Sequence, residues 1–433
     1  MNRESDFQWK IWGARLDPLS DLLSTTSKKT IFKNRNVLRS DYLPDNLPHR
    51  WEHIRQLGEI LAPALNNARP SNVFIYGKTG TGKTAVVKYT FKRFNEETLR
   101  NNLPLKFIYI NCRMAGTEYR VLTELCSAIG QKVPFTGLSK AEVFNRFVSG
   151  LSSSNLMAIV CLDEVDILVK NFGDDLLYEL TRVNESLNNG QVALVGVSND
   201  LMFKNMLDPR VLSSLSEEEI VFHPYTASEL MDILSERAAL AFNEGTVSQD
   251  IIALCAALAA AEHGDARRAL DLLRVAGEVA ERAGAQKVEE KHVRMAQGII
   301  ERGRIFEALS SLPLHSKLVL LSVVLAMKNG SEITSGTLYT IYKELCELIG
   351  IEPLTDRRTS SLLSELNMLG VLDCELVSLG RYGRTRKVFL TLPLDEVVGV
   401  FEKDEVLSNM LGYVPASLKN NVIHKNSLSS CQR

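Results

Sequence analysis

The chain has 433 residues, 45% hydrophobic and 24% charged, with a formal net charge of −2. The length calls for two to four domains, and the composition is that of an ordinary globular protein. The near-neutral balance excludes a global basic field, so any nucleic-acid contact must be local. No apolar run approaches the ~20 residues that span a bilayer. The longest, Ile251 to Ala261, is Ala-rich and reads as a buried helix. The opening segment MNRESDFQWK is too polar for a secretory signal. Seven scattered cysteines without a C-x-x-C pair point to reduced thiols in a cytosol, not to a disulfide frame or a zinc site.

Residues 1–30 are polar and aperiodic and read as a flexible tail. From Ile31 to Ala68 come short apolar touches with Pro44, Pro48 and Pro63, then an amphipathic stretch at Ile54, Leu57, Ile60, Leu61 and Leu65. Residues Gly77 to Thr84 read GKTGTGKT, between an apolar run ending at Tyr76 and a helical stretch from Ala85. This is G-x-x-x-x-G-K-[ST] in strand–loop–helix context. Gly80, Thr81 and Gly82 let the loop turn backbone N–H groups toward phosphate, and the helix N-terminus adds a field that favours anions. Lys83 would reach the β- and γ-phosphates, and Thr84 would offer its hydroxyl to Mg²⁺.

Four apolar runs, Val73–Tyr76, Phe107–Ile110, Ala158–Leu162 and Val192–Val197, alternate with helical patterns, with a fifth at Glu219–Phe222. Such interleaving predicts an α/β fold with a parallel sheet covered on both faces. The third run ends in Asp163 and Glu164, suited to holding the Mg²⁺ shell and polarising the attacking water. Asp166 reads as a helix-start or surface acid. The fourth run ends in Ser198 and Asn199; a polar amide there can sense a γ-phosphate. Arg210 falls on a surface turn where it can reach a neighbouring subunit's nucleotide. From Tyr225 to about Arg304 the 3.6-residue pattern predicts a small helical bundle, within which Arg267 opens a helix. Guanidinium suits both arginine roles because its charged fork spans phosphate oxygens.

Beyond Ile305 the pattern is helix, helix, helix and a two-stranded ribbon ending near Leu392. Helices are expected at His315–Lys328 and Ser335–Ile349, and a third from Thr355 that packs through Leu362, Leu363, Leu366 and Leu369. Its other face offers Arg357, Arg358, Ser361 and Ser364, as in a helix-turn-helix. The ribbon's loop carries Arg381, Tyr382, Arg384, Arg386 and Lys387 without an acid. Arg381 and Arg384 suit the minor groove, and Lys387 suits phosphate. Residues after Val414 read as a frayed tail.

The order of glycine loop, Asp-Glu, polar amide, arginine and Gly-x-x-Arg bundle resembles the AAA+ arrangement. Longer strings narrow it: Pro48-His-Arg50, Gly173-Asp-Asp-Leu-Leu-Tyr178, Leu207-Asp-Pro-Arg-Val211, Phe222-His-Pro-Tyr225, Gly264-Asp-Ala-Arg-Arg-Ala-Leu270 and Gly380-Arg-Tyr-Gly-Arg-Thr385. Together they resemble the archaeal replication initiators related to origin recognition complex subunit one and cell division control protein six, from about Ile31 to Leu392. Trp51 departs from the family pattern, which usually has an acidic residue there.

The resemblance implies an AAA+ nucleotide-binding domain (31–224), a helical lid (225–304), a winged-helix domain (305–400) and an extension (401–433). It implies an ATP/ADP- and Mg²⁺-dependent initiator, cytoplasmic and nucleoid-associated, that binds duplex DNA at origins, self-associates there and helps recruit the replicative helicase. ATP hydrolysis would be weak and act as a switch. Lys83 and Thr84 would bind phosphate and metal, Asp163 the metal and Glu164 the water. Asn199 would be the first sensor, Arg210 the finger in trans and Arg267 the second sensor. Tyr225 and Arg237 would lie beside the nucleotide, and Leu43 to Arg50 would contact adenine. A DNA-contacting helical insertion would fall between Cys112 and Leu156. Two other readings stand beside this one: a winged-helix transcription regulator controlled by ATP, and a helicase- or clamp-loader-type ATPase whose terminal domain binds protein.

Overall fold

The computed structural model describes residues 31–134, 136–215, 217–330, 333–378 and 384–418. They form two compact units, whose boundary between Ala296 and Gln297 falls inside the helix Glu290–Ser310. In the first unit, β1 (Val73–Gly77), β2 (Leu105–Asn111), β3 (Met157–Asp163), β4 (Gln191–Ser198) and β5 (Glu218–Phe222) make one sheet in the order β2-β3-β4-β1-β5. Every pairing is parallel. All seven residues of β3 are buried. Their alternation sends Ala158, Val160 and Leu162 into one apolar layer and Met157, Ile159 and Cys161 into the other. The near-continuous apolar runs therefore mark strands covered on both faces.

Local chemistry sets the helix ends. Thr117 and Ser139 accept N–H bonds to start Glu118–Ala128 and Lys140–Ser154, the two longer helices between β2 and β3. Thr226 and Glu229 form a reciprocal capping box at the start of Ala227–Ala241, the first lid helix. Gln249–Ala261 and Ala266–Arg282 complete the lid before Glu290–Ser310 begins. Residues 31–38 lie across this lid: Phe32 stacks on Phe242 at 4.7 Å, and the Lys33 and Asn34 N–H groups donate to the Ala241 carbonyl. Gly277 provides the notch, since a Cβ there would fall 2.5 Å from Phe32 Cζ.

The second unit contains the helices Leu314–Lys328, Ser335–Ile349 and Asp356–Met368, then β6 (Leu372–Ser378), β7 (Arg384–Leu390) and a helix Leu394–Phe401. β6 and β7 are antiparallel, and Thr334 bridges Lys387 on the far side of β7. Leu362, Leu363 and Leu366 are buried as expected, but Leu369 is 62% exposed. The helix ends at Met368, so Leu369 sits at the C-cap and leaves the apolar stripe.

The chain after Val414 also departs from the frayed tail expected of it, as far as Leu418. Leu407, Met410 and Leu418 join the core of the second unit. The Glu344 carboxylate accepts from the Tyr413 hydroxyl at 3.0 Å and from the Ala416 and Ser417 N–H groups at 2.8 and 3.1 Å. Burial alone would raise the Glu344 pKa, but these donors outweigh it and hold it below its ordinary value. Such a carboxylate stabilises the fold above its unfolded pKa, and that contribution is lost as pH falls through the folded one. Glu344→Ala should therefore cost roughly 1–3 kcal/mol and speed amide exchange at residues 413–418 near pH 7. The difference from the unaltered chain should shrink in acid. Hydrogen-exchange mass spectrometry reads both effects, and unchanged exchange at pH 7 would refute the pin.

Candidate functional site

The register of the sheet brings three strand tips together. Tyr76 of β1 lies beside Ser198 of β4, and Asp163 of β3 lies beside Val197. The loop after β1, the acid pair after β3 and the amide after β4 thus emerge at one edge, where α/β sheets hold ligands. Gly80, Thr81, Gly82, Lys83, Thr84, Glu164, Asn199, Tyr225, Arg237 and Arg267 all line one cleft there, with residues 39–44 and 46–48 forming another wall.

The loop is shaped for an anion. Gly80 and Gly82 have φ of +70° and +91°, conformations that glycine adopts without strain. Lys83 is 5% exposed and donates to the Gly77 and Lys78 carbonyls at 2.8 and 2.7 Å. Desolvation lowers its pKa to about 8, opposed by Asp163 and reinforced by Arg267. Thr81 is fully buried and donates to the Lys78 carbonyl.

Asp163 is 2% exposed, and its Oδ2 accepts from the Thr84 hydroxyl at 2.8 Å and the Tyr109 hydroxyl at 2.7 Å. The Glu164 N–H donates to Oδ1 at 2.9 Å. Glu164 has φ +55° at the start of the helix Val165–Phe172, and its Oε2 is buried without a hydrogen-bond partner among the described residues. A glycine loop, a buried ammonium, a hydroxyl–carboxylate pair and an orphaned carboxylate oxygen together fit a magnesium-bound nucleoside triphosphate.

The lid reaches this loop directly. Asp265 caps Ala266–Arg282 by accepting from the Arg267 and Arg268 N–H groups. The Ala266 N–H donates to the Gly80 carbonyl at 3.1 Å, and a Cβ on Gly80 would overlap the Asp265 carboxylate. Arg50, 4% exposed, ties the wall to the loop by donating to the Thr81 and His223 carbonyls, both at 2.9 Å, with its guanidinium 3.7 Å over the Tyr225 ring. Arg237 is buried, donates to the Val37 carbonyl and stacks over Tyr42; desolvation lowers its pKa. Trp51 is 54% exposed and meets Tyr89 edge-on.

Arg210 stands apart from the cleft. Its side chain is 67% exposed and pairs with Asp208 on the short helix Pro209–Leu215. Asp166 corrects the surface reading: it does lie in a first helical turn, but it is 5% exposed and accepts from Ser198 and Asn199. Tyr109 and Asp265 were not identified from the sequence. An Asp just before a helix is a legible cap signal, whereas a tyrosine inside an apolar strand carries none.

In the second unit, Arg357 is exposed and Arg358 pairs with Glu365 at 3.2 Å, its side chain 56% exposed. Arg386 donates to Ser364 Oγ at 2.9 Å, pinning the ribbon to the helix Asp356–Met368. Lys387 is half-buried in mid-ribbon opposite Glu375. Arg381 and Tyr382 lie outside the described residues, and only the backbone of Arg384 is described.

Three family models match in succession: an AAA domain over residues 67–202, the Cdc6 AAA+ ATPase-type lid domain over 231–298, and the CDC6 C-terminal winged helix domain over 307–400. The ORC1-type DNA replication protein 1 of Sulfurisphaera tokodaii is 48% identical over 394 residues, 90% of this chain and 98% of that one. The structure of the Aeropyrum pernix ORC1 protein in complex with DNA matches with a TM-score of 0.79 at 48% identity, covering 88% of this chain and all of that one. The Aeropyrum pernix ORC2 protein, in its ADPNP-ADP complexes, matches with a TM-score of 0.57 at 25% identity, again over 88% of this chain and all of that one. Near-full-length identity to the first relative, with the sheet, lid and winged helix in the same order, shows that the chain belongs to the ORC1-type DNA replication protein family.

Proposed function

We propose that the chain is an ATP-controlled initiator of DNA replication that binds duplex DNA at origins and helps recruit or load the replicative helicase. It acts in the cytoplasm, at the nucleoid, and associates with further copies on DNA. The observation that carries this reading is the cleft in which the loop, Glu164, Asn199 and the lid arginine converge. The related ORC1 structure in complex with DNA and the ORC2 structure in ADPNP-ADP complexes support it.

On this reading Lys83 exchanges its two loop carbonyls for β- and γ-phosphate oxygens. Thr84 and Asp163 hold Mg²⁺, which neutralises phosphate charge when bound. Glu164 orients the attacking water with its unpartnered oxygen, and Asn199 senses the γ-phosphate. Arg267 clamps that phosphate from the lid, while Tyr225 and Arg237 bound the nucleotide on the lid side. Arg210, exposed away from its own cleft, serves a neighbouring copy, so hydrolysis is slow in a monomer and the nucleotide works as a switch. DNA is contacted by Arg357 and Arg358 of the third helix and by Arg381, Tyr382, Arg384 and Lys387 of the ribbon and its loop.

Lys83→Ala should abolish nucleotide binding, while Glu164→Gln should retain ATP without turning it over; unchanged nucleotide affinity in the first, or undiminished turnover in the second, would defeat the assignment. The lowered Lys83 pKa adds a pH signature. The phosphate-bound ammonium keeps its proton, so binding should take up protons, and affinity should fall as pH rises through about 8. Calorimetry in two buffers of different ionisation enthalpy measures the uptake.

Arg210→Ala should lower turnover roughly tenfold or more without changing nucleotide affinity. Adding the Lys83→Ala chain, which keeps its own Arg210, should restore part of that turnover; a failure to complement would place the arginine's action within its own subunit. Arg381→Ala together with Arg384→Ala should weaken duplex binding and reduce the salt slope by about 2. An unchanged slope in fluorescence-anisotropy titrations would refute the wing contact.

A further inference from the structure

Asp166 is a buried acid with no part in the scheme above, and its surroundings are specific. β3 and β4 pair in register up to Asp163 and Val197. Past that point the chains diverge, one into the helix that begins after Glu164, the other into the turn carrying Asn199. Asp166 spans the gap. Its Oδ1 accepts from Ser198 Oγ at 3.2 Å and from the Asn199 N–H at 3.3 Å. Ser198 is fully buried, and its oxygen also accepts from the Asp200 N–H at 3.0 Å. The Asp166 Oδ2 faces Lys170 Nζ at 3.8 Å, and Lys170 reaches across to Asp200 at 2.7 Å. One carboxylate thus ties the first turn after Glu164 to the backbone of Asn199.

We propose that Asp166 is a positioning residue for ATP hydrolysis, fixing Asn199 relative to Glu164 through the hydrogen bonds its Oδ1 accepts. This rests on the roles given above to Glu164 and Asn199. A water-orienting carboxylate and a phosphate-sensing amide must address the same γ-phosphate, and a misplacement of about 1 Å can cost up to 100-fold in rate. The two bonds come from a buried hydroxyl and a backbone N–H. They need an acceptor at one position; they do not need a charge.

Four variants of the full chain test this: Asp166→Ala, Asp166→Asn, Asp166→Glu and Asn199→Ala. Each is measured for single-turnover hydrolysis of ATP, for affinity toward a fluorescent ATP analogue, and for melting temperature. Asp166→Ala should lose about tenfold or more in hydrolysis with affinity changed less than about threefold. Asp166→Asn keeps an oxygen acceptor and should recover to within about threefold of the unaltered chain. Asp166→Glu keeps the charge but displaces the acceptor, and should hydrolyse like Asp166→Ala. Should Asp166→Ala fail to fold, the order of Asn above Glu decides alone.

Equal rates for Asp166→Ala and the unaltered chain, beside a damaged Asn199→Ala, would overturn the inference and leave the reading of the site standing. Asp166→Glu active with Asp166→Asn inactive would overturn it by showing that charge, not acceptor geometry, matters. An undamaged Asn199→Ala would remove the sensor role, and the inference with it.

Discussion

The in-register parallel pairing of β1, β3 and β4 is the constraint on which the rest of the first unit depends. Parallel strands all end at one edge, so a loop, an acid pair and an amide that are far apart in the chain emerge side by side. Both faces of the sheet must then be covered, which is why the strands are almost wholly apolar and why polar residues collect at their tips. The site is what remains polar where the core ends.

The lid is joined to that edge by contacts too close for side chains. The Gly80 carbonyl receives the first N–H of the helix Ala266–Arg282, and the cap of that helix, Asp265, lies over the α-carbon of Gly80. Arg50 grips the same loop from the other wall through the Thr81 carbonyl and the Tyr225 ring. Residues 31–38 lie on the lid, and the segment that follows them lines the cleft. A ligand pressing on the loop therefore meets the lid and this strap at once.

In the second unit, polar pins do the comparable work. Arg386 fastens the ribbon to the third helix through Ser364. Glu344 gathers three donors from residues 413–417 and holds that segment against the core. Both are charged groups whose neighbours, more than their residue type, decide what they do.

Patterns that repeat locally were legible in the sequence alone: the five strands, the glycine loop, the lid helices and the three helices of the second unit. Each depends on spacing within a few residues, as in the Ser335–Ile349 helix, or on a motif such as GKTGTGKT with its flanks. The family, too, followed from such strings. What only the tertiary structure decided are the partners of single polar groups. Asp166 is acidic and starts a helix, which by itself fits a solvated residue. Its burial against Ser198 and Asn199 arises because β4 lies next to β3, a neighbour that local periodicity does not contain. The same holds for the Tyr109 hydroxyl on Asp163, for Gly277 beneath Phe32, and for the tail held by Glu344. Contacts between distant segments are settled by packing, and packing is a property of the folded whole.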